Sequence, residues 1–367
     1  MPDELNRPLV LLVAAPAAFG GSNRSVANFM TSLRPYARCV IATPRAGKFL
    51  DYMKERNLLD EHLPLPHGSR LKRIAASFKI ATWAFRHRQE LTVIHAQATT
   101  GLNLVVLAAA ITRRPVVARV SDPEGSSAGR FLGPLVHRLV PHLTVVPVSE
   151  TARGVAVANG LCTLEEAIII PEPVVLEDVV ADERHSLPGV LRIGFLGGVS
   201  FRKGFDLLPE VIDGVSDLPV RWLLFMSASE DTEVDEAVRD LLARTDGLVD
   251  FHGRESDVRK AYALCDIVFV PSRSESFCLV VAEAMANGIP VVAADLDPIK
   301  RLLGSEEAGL IFPNGNPRAA IAALRRLIDD EELRLRLGAA GRVRARAYTP
   351  DEVFRRLAPL YGISLAR

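Results

Sequence analysis

Residues 272–295 read SRSESFCLVVAEAMANGIPVVAAD, an apolar run interrupted by two carboxylates, Glu275 and Glu283. An unpaired charge among buried apolar side chains is costly, so each needs a partner in the protein or in a ligand. A sugar or ribose requires hydrogen-bond acceptors fixed in space, whereas a diphosphate requires donors and positive charge. Both kinds of group occur here. FCLVVAEAMANG reads as a helix stopped by Gly288, so the free N–H groups of its first turn, at Phe277, Cys278 and Leu279, open beside Glu275. The competing explanations are purely structural: a helix-dipole contact for Glu275 and a buried ion pair for Glu283.

Two further stretches have the same mixed character. IGFLGGVSFRKGFDLL, residues 193–208, takes a strand into a glycine-rich loop that carries Arg202 and Lys203. Cations beside exposed backbone amides suit a diphosphate, although a solvated Arg-Lys pair explains an isolated motif equally well. In LLVAAPAAFGGSNRSVANFM a strand meets Gly20-Gly21, and Ser22 or Asn23 can cap the helix that follows. Paired glycines admit a ligand to the backbone and a helix N-terminus receives anions; a tight strand-to-helix turn is the plainer alternative.

These loops must hang on a scaffold, and the chain alternates short apolar runs with amphipathic stretches throughout. PLVLLVAA, CVIATP, LTVIHAQ, PVVARVSD and LTVVPVS are followed by LRIGFLGG, RWLLFMSA, LVDFHG, DIVFVPS, IPVVAAD and GLIFP. Strands this apolar, separated by helices, are parallel strands buried on both faces, which predicts an α/β doubly wound fold. The pattern breaks over residues 168–191, where prolines and an acidic cluster read as a linker, and restarts at LRIGFLGG. The expected division is a first domain over 1–176, a linker over 177–189, a second domain over 190–348, and a C-terminal helix over 349–367 returning to the first. Ligands of such folds bind at the C-terminal ends of the strands.

Composition narrows the function classes. The 367 residues suit two domains, and formal net charge is zero, which gives no global argument for nucleic acid. Residues 1–178 carry 20 Lys+Arg against 15 Asp+Glu and the rest 24 against 29, so the first half is the one suited to an anionic partner. Cys39, Cys162, Cys265 and Cys278 form no CxxC pair, which speaks against a zinc site or disulfide framework and for a cytoplasmic setting. No apolar run reaches membrane-spanning length, and MPDELNRPLVLLVAAP lacks the basic start of a signal peptide. HGSRLKRIAASFKIATWAFRHRQE, residues 67–90, is a basic amphipathic segment. It reads as a helix covering a sheet, or as a helix lying peripherally on the inner face of a membrane.

PSRSESFCLVVAEAMANGIPVVAAD resembles the signature of the retaining, nucleotide-sugar-dependent glycosyltransferases of family four. FGGSNRSVANFMTSL, VIHAQATTGLNLVVLAA, VVPVSETARGVAVANG, IGFLGGVSFRKGFDLLPEVI, FHGRESDVRKAYALCDIVFVPS and AGLIFPNGNPRAAIAALRRLIDD match further family motifs in order. The resemblance implies two facing Rossmann-like domains, the GT-B architecture, with the active site in the cleft between them. It implies a donor site in which Lys203 binds the diphosphate, Glu283 the ribose hydroxyls and Glu275 the donor sugar. Amides of Phe277, Cys278 and Leu279 would grip phosphate and sugar, and Gly253-Arg254 would border the base. Gly20 and Gly21 would lie near phosphate and acceptor. No metal or other cofactor is implied, the nucleoside-diphosphate sugar being a co-substrate.

Several positions depart from the family pattern. Gly198 stands where an Arg is usual, with Arg202 as a substitute from the other end of the loop, and Ser121 and Asp122 stand where many members have a His. Gln97 replaces a second frequent His, and Ser276 and Cys278 replace glycines. The expected activity is transfer of a hexose-type sugar to a hydroxyl acceptor, lipid-linked or polysaccharide. The alternatives are a non-catalytic relative that binds sugars or a partner, and a nucleotide-sugar epimerase or hydrolase.

Overall fold

A computed structural model describes residues 7–14, 21–44, 47–122, 133–176, 189–226, 232–245, 247–253 and 258–365. The chain divides into two compact units, Met1–Pro173 with Tyr348–Arg367, and Val174–Ala347. The expected linker over 177–189 lies, apart from its last residue, outside the described residues.

In the first unit the elements are β1 (Leu9–Ala14), α1 (Gly21–Leu33), β2 (Arg38–Pro44), α2 (Lys48–Glu55), β3 (Glu61–Leu65) and α3 (Arg70–Arg86). Then come β4 (Leu91–Gln97), α4 (Ala98–Thr112), β5 (Val116–Val120), α5 (Gly133–Leu139), β6 (Leu143–Pro147) and α6 (Glu150–Ala158). The sheet order is β3-β2-β1-β4-β5-β6, and its pairings are parallel. Every residue of β1 is buried, as the apolar LVLLVA run requires for a strand covered on both faces. The sequence reading missed β3, whose EHLPL is half polar and contains Pro64. Proline cannot donate to a ladder, and at the sheet edge it need not.

The second unit repeats the plan. It contains β7 (Leu191–Gly197), α7 (Leu208–Asp213), β8 (Val220–Met226), α8 (Thr232–Arg244), β9 (Val249–Gly253), α9 (Val258–Ala263) and β10 (Ile267–Val270). It continues with α10 (Leu279–Ala286), β11 (Val291–Ala294), α11 (Asp297–Leu303), β12 (Gly309–Phe312), α12 (Pro317–Asp329) and α13 (Glu331–Ala345). Its order, β12-β11-β10-β7-β8-β9, read from the β9 edge, is the first unit's order with each strand number raised by six. Strand direction of growth reverses between β7 and β10, and at such a switch point the loops leaving the two strands diverge and leave room for a ligand.

After α13 comes α14 (Pro350–Leu357), which packs on α1 in the first unit. Ser32 Oγ donates to Asp351 Oδ1 at 2.5 Å, and Arg356 donates to the Ile169 carbonyl at 2.6 Å. The deeper latch is Tyr361, fully buried, which bonds His95 Nδ1 on β4. Gln97 Oε1 lies 3.0 Å from His95 Nε2. An amide oxygen only accepts, so Nε2 carries the proton and Nδ1 accepts from the Tyr361 hydroxyl.

Burial pushes the His95 pKa down to about 4, with nearby Arg119 acting in the same direction. The native state therefore holds His95 neutral where the unfolded chain binds a proton, and stability is lost as pH falls from about 6.5 towards 4. The loss attributable to His95 approaches about 3 kcal/mol at the bottom of that window, from about 1.4 kcal/mol per pKa unit. Denaturant titrations across that range are expected to show a smaller pH dependence for His95→Gln than for the parent.

Candidate active site

At the β7/β10 switch point the site is built from the loop after β7 and the loop after β10. The first begins with Gly198, directly after Gly197 at the end of β7, and Ser200 Oγ accepts from the Lys203 N–H to cap a single 3-10 turn over Phe201–Lys203. Gly204 ends that turn at φ 71. A β-carbon at Gly204 would overlap the carbonyl oxygen of Pro271, the first residue after β10. Glycine therefore serves two needs at once: a left-handed backbone and close approach of the two loops.

Further contacts hold the loops together. The Arg273 N–H donates to the Arg202 carbonyl at 2.8 Å, and the Arg273 guanidinium chelates Asp206 at 2.6 and 2.8 Å. Its plane also lies over the Phe201 ring, 3.8 Å from the centroid. Bidentate and stacked contacts of this kind fix orientation as well as proximity. Arg202 is exposed and donates to the Ser274 carbonyl at 3.2 Å.

The clamp brings Lys203 Nζ to 2.5 Å from Glu275 Oε1. Ser272 Oγ donates to the same oxygen at 2.8 Å. Glu275 is only 8% exposed. Both bonds fall on Oε1, and among the described residues Oε2 takes no hydrogen bond. The carboxylate is thus oriented by one oxygen while the other stays available as an acceptor.

Glu283 lies about one turn into α10 and is 7% exposed. Tyr262 of α9 donates to Glu283 Oε2 at 2.9 Å, which fixes the carboxylate by a hydrogen bond to a buried phenol. Neither Ser272 nor Tyr262 was singled out in the sequence. Ser272 sits three residues from its partner and could have been tried; Tyr262 is 21 positions away, and only the α9–β10–α10 path brings it in.

The helix begins two residues later than its apolar pattern suggests. Cys278 is the N-cap, at φ 71 and ψ 71, so the free amides of the first turn begin at Leu279 rather than Phe277. The left-handed backbone explains why glycine suits this position. Cys278 is buried, and burial followed by the charge of Glu275 raises its pKa, so the thiol stays protonated and is no nucleophile.

The remaining predicted residues are dispersed. Gly253 ends β9, three strands from β10, at φ 66, and Arg254 lies outside the described residues. In the first unit Gly21 opens α1, while Gly20 lies outside the described residues. Asp122 Oδ2 accepts from Thr99 N–H at 3.0 Å and Thr99 Oγ at 2.5 Å, so it holds the start of α4. Ser121, beside it, is half-buried at the end of β5.

Residues 185–344, spanning β7 to α13, match the family described as glycosyl transferases group 1. The matched segment lies within the second unit. Lys203, Glu275 and Glu283 all lie within the matched segment. The phosphatidyl-myo-inositol mannosyltransferase of Mycobacterium leprae is 28% identical over 78% of each chain. The D-inositol 3-phosphate glycosyltransferase of Corynebacterium glutamicum is 37% identical over 30% of this chain and 27% of its own. Among solved structures, Anabaena HepE in complex with UDP and glucose superposes with a TM-score of 0.81 at 19% identity, covering 97% of this chain and 99% of that one. With its two Rossmann-like units, the chain has the GT-B fold.

The close approach of the two loops predicts the consequence of Gly204→Ala. A left-handed alanine alone costs about 1–2 kcal/mol, and the overlap with Pro271 adds to it. The melting transition of the second unit is expected to fall by roughly 5 °C or more, while that of the first unit stays in place.

Proposed function

We propose that the protein transfers a hexose-type sugar from a nucleoside-diphosphate sugar to a hydroxyl acceptor with retention of anomeric configuration. The observation that carries this reading is the pair Lys203 and Glu275, 2.5 Å apart at the β7/β10 switch point and within the family's matched segment. The nucleotide is taken by the second unit. Lys203, Arg202 and the free amides at the start of α10 receive the diphosphate, and Glu283, oriented by Tyr262, accepts from the ribose hydroxyls.

During transfer the bond from the anomeric carbon to the phosphate oxygen breaks, and negative charge grows on the departing diphosphate. Lys203 meets that charge in place, which removes the need for a metal ion. Glu275 Oε2 faces the sugar and offsets positive charge near the anomeric carbon. The acceptor oxygen forms the new bond and its proton leaves with the nucleoside diphosphate. Two of the relatives named above are inositol-directed enzymes by description; together with the positive first half of the chain, this favours a phosphorylated or lipid-linked polyol as acceptor.

The test is a panel of nucleotide sugars scored for diphosphate release, with product stereochemistry read by NMR. One donor is expected to turn over with retention, and chelation of divalent ions is expected to leave the rate unchanged. Lys203→Ala should lower kcat by roughly 100- to 1,000-fold, the usual loss for one charge-stabilising group. Glu283→Gln should act mainly on the donor KM, by about tenfold, because its contact is remote from the reacting bond. Turnover of no donor by a folded protein, or inversion, would sink the reading; turnover without acceptor to an isomerised donor would instead indicate an epimerase.

A further inference from the structure

The helix α3 is apolar on the side facing away from the protein. It buries small residues, Ala76, Ala81 and Ala84 with Ile80, against the first unit. Its large apolar residues point outward: Leu71 is 77% exposed, Ile74 48%, Phe78 60% and Phe85 47%. Leu71, Phe78 and Phe85 recur every seven residues, so they form one stripe along the helix. The residues that follow each of them are Lys72, Lys79 and Arg86, all exposed, about 100° further round the helix.

The charge on this element is one-sided. Its 17 residues contain five cations and no acid. Among the described residues none of those five forms an ion pair, and Arg88 just beyond lies over the Phe85 ring at 4.3 Å without an acidic partner. An apolar stripe with a cationic flank matches one surface above others, an anionic bilayer, where the apolar side chains enter the headgroup boundary and the cations remain with the phosphates. A second copy of the chain fits poorly, because a two-fold contact through this face would set cations against their own counterparts. No helix among the described residues is long and apolar enough to cross a membrane, so the contact would be peripheral.

We propose that the exposed face of α3 docks the protein on anionic phospholipid bilayers, by insertion of Leu71, Ile74, Phe78 and Phe85 and by headgroup contacts of Lys72, Lys79 and Arg86. The proposal gives a lipid-linked acceptor a place to be met, but it stands on α3 alone and not on the donor site.

Flotation of the full chain with vesicles separates the possibilities. The parent protein is expected to float with phosphatidylcholine vesicles containing about a third phosphatidylglycerol and not with pure phosphatidylcholine, and to be released by salt. Reversal of charge in K72E/K79E/R86E should weaken binding by more than a hundredfold, since each cation lost near an anionic surface is worth about fivefold. The triple serine variant L71S/F78S/F85S should lose binding at all salt concentrations. These side chains are exposed, so both variants should keep the parent's circular dichroism, melting temperature and diphosphate release with a soluble acceptor. Equal flotation with neutral and anionic vesicles, or variants that bind like the parent, would overturn the proposal. So would loss of a dimer in the serine variant, which would assign the face to a second copy. Vesicle binding by a protein that turns over no donor would defeat the transferase reading and leave this one standing.

Discussion

The second unit depends on one close approach, Gly204 against the carbonyl of Pro271. Only a residue without a β-carbon lets the loop after β7 lie on the loop after β10. Once they touch, Arg273 can reach Asp206 and Phe201, and Lys203 can reach Glu275. The sheet order supplies the reason those two loops are neighbours, since β7 and β10 flank the point where the order reverses. A cation, a carboxylate and a helix start are thereby collected from segments about 70 residues apart. Ser272 and Tyr262 then orient the two carboxylates.

The fold was legible because buried parallel strands leave long apolar runs that little else in a soluble chain produces. The exception, β3, shows why: an edge strand needs fewer apolar residues and tolerates Pro64, so its signal falls below that of a loop. The candidate site was legible as residue types, since Glu275 and Glu283 are anomalous in an apolar run and Lys203 precedes a glycine. Their mutual geometry was not. Nothing in a linear pattern says that the ammonium of Lys203 meets Oε1 rather than solvent, or that Cys278 adopts a left-handed backbone and delays the helix by two residues. Asp122 illustrates the opposite case, in which a residue standing at a family's binding position spends its carboxylate on holding Thr99.

In the first unit the polar interior serves mainly to fasten the chain. Arg119 donates to the Ile170 and Pro171 carbonyls and pairs with Glu172 at 2.9 Å, while Asn28 donates to the Pro173 carbonyl at 3.0 Å. This network fixes the segment just before the chain leaves the unit, and the His95–Tyr361 bond fixes the segment that returns to it. Burying an Arg–Glu pair is tolerable only because both partners keep additional hydrogen bonds, here two carbonyl acceptors for Arg119 and the Ser25 hydroxyl for Glu172. The unit's outer surface is then left to elements such as α3, whose side chains are not needed for the core.

The central claim is that Glu283 addresses the nucleoside and Glu275 the sugar of one donor. Titration calorimetry with a nucleotide sugar and with its free nucleoside diphosphate tests it most directly. The account predicts that Glu283→Gln weakens both ligands equally. It predicts that Glu275→Gln weakens only the nucleotide sugar, while the free diphosphate binds at least as tightly because Lys203 loses its competing carboxylate. Equal weakening of both ligands by Glu275→Gln, or no effect of Glu283→Gln on the free diphosphate, would contradict the assignment.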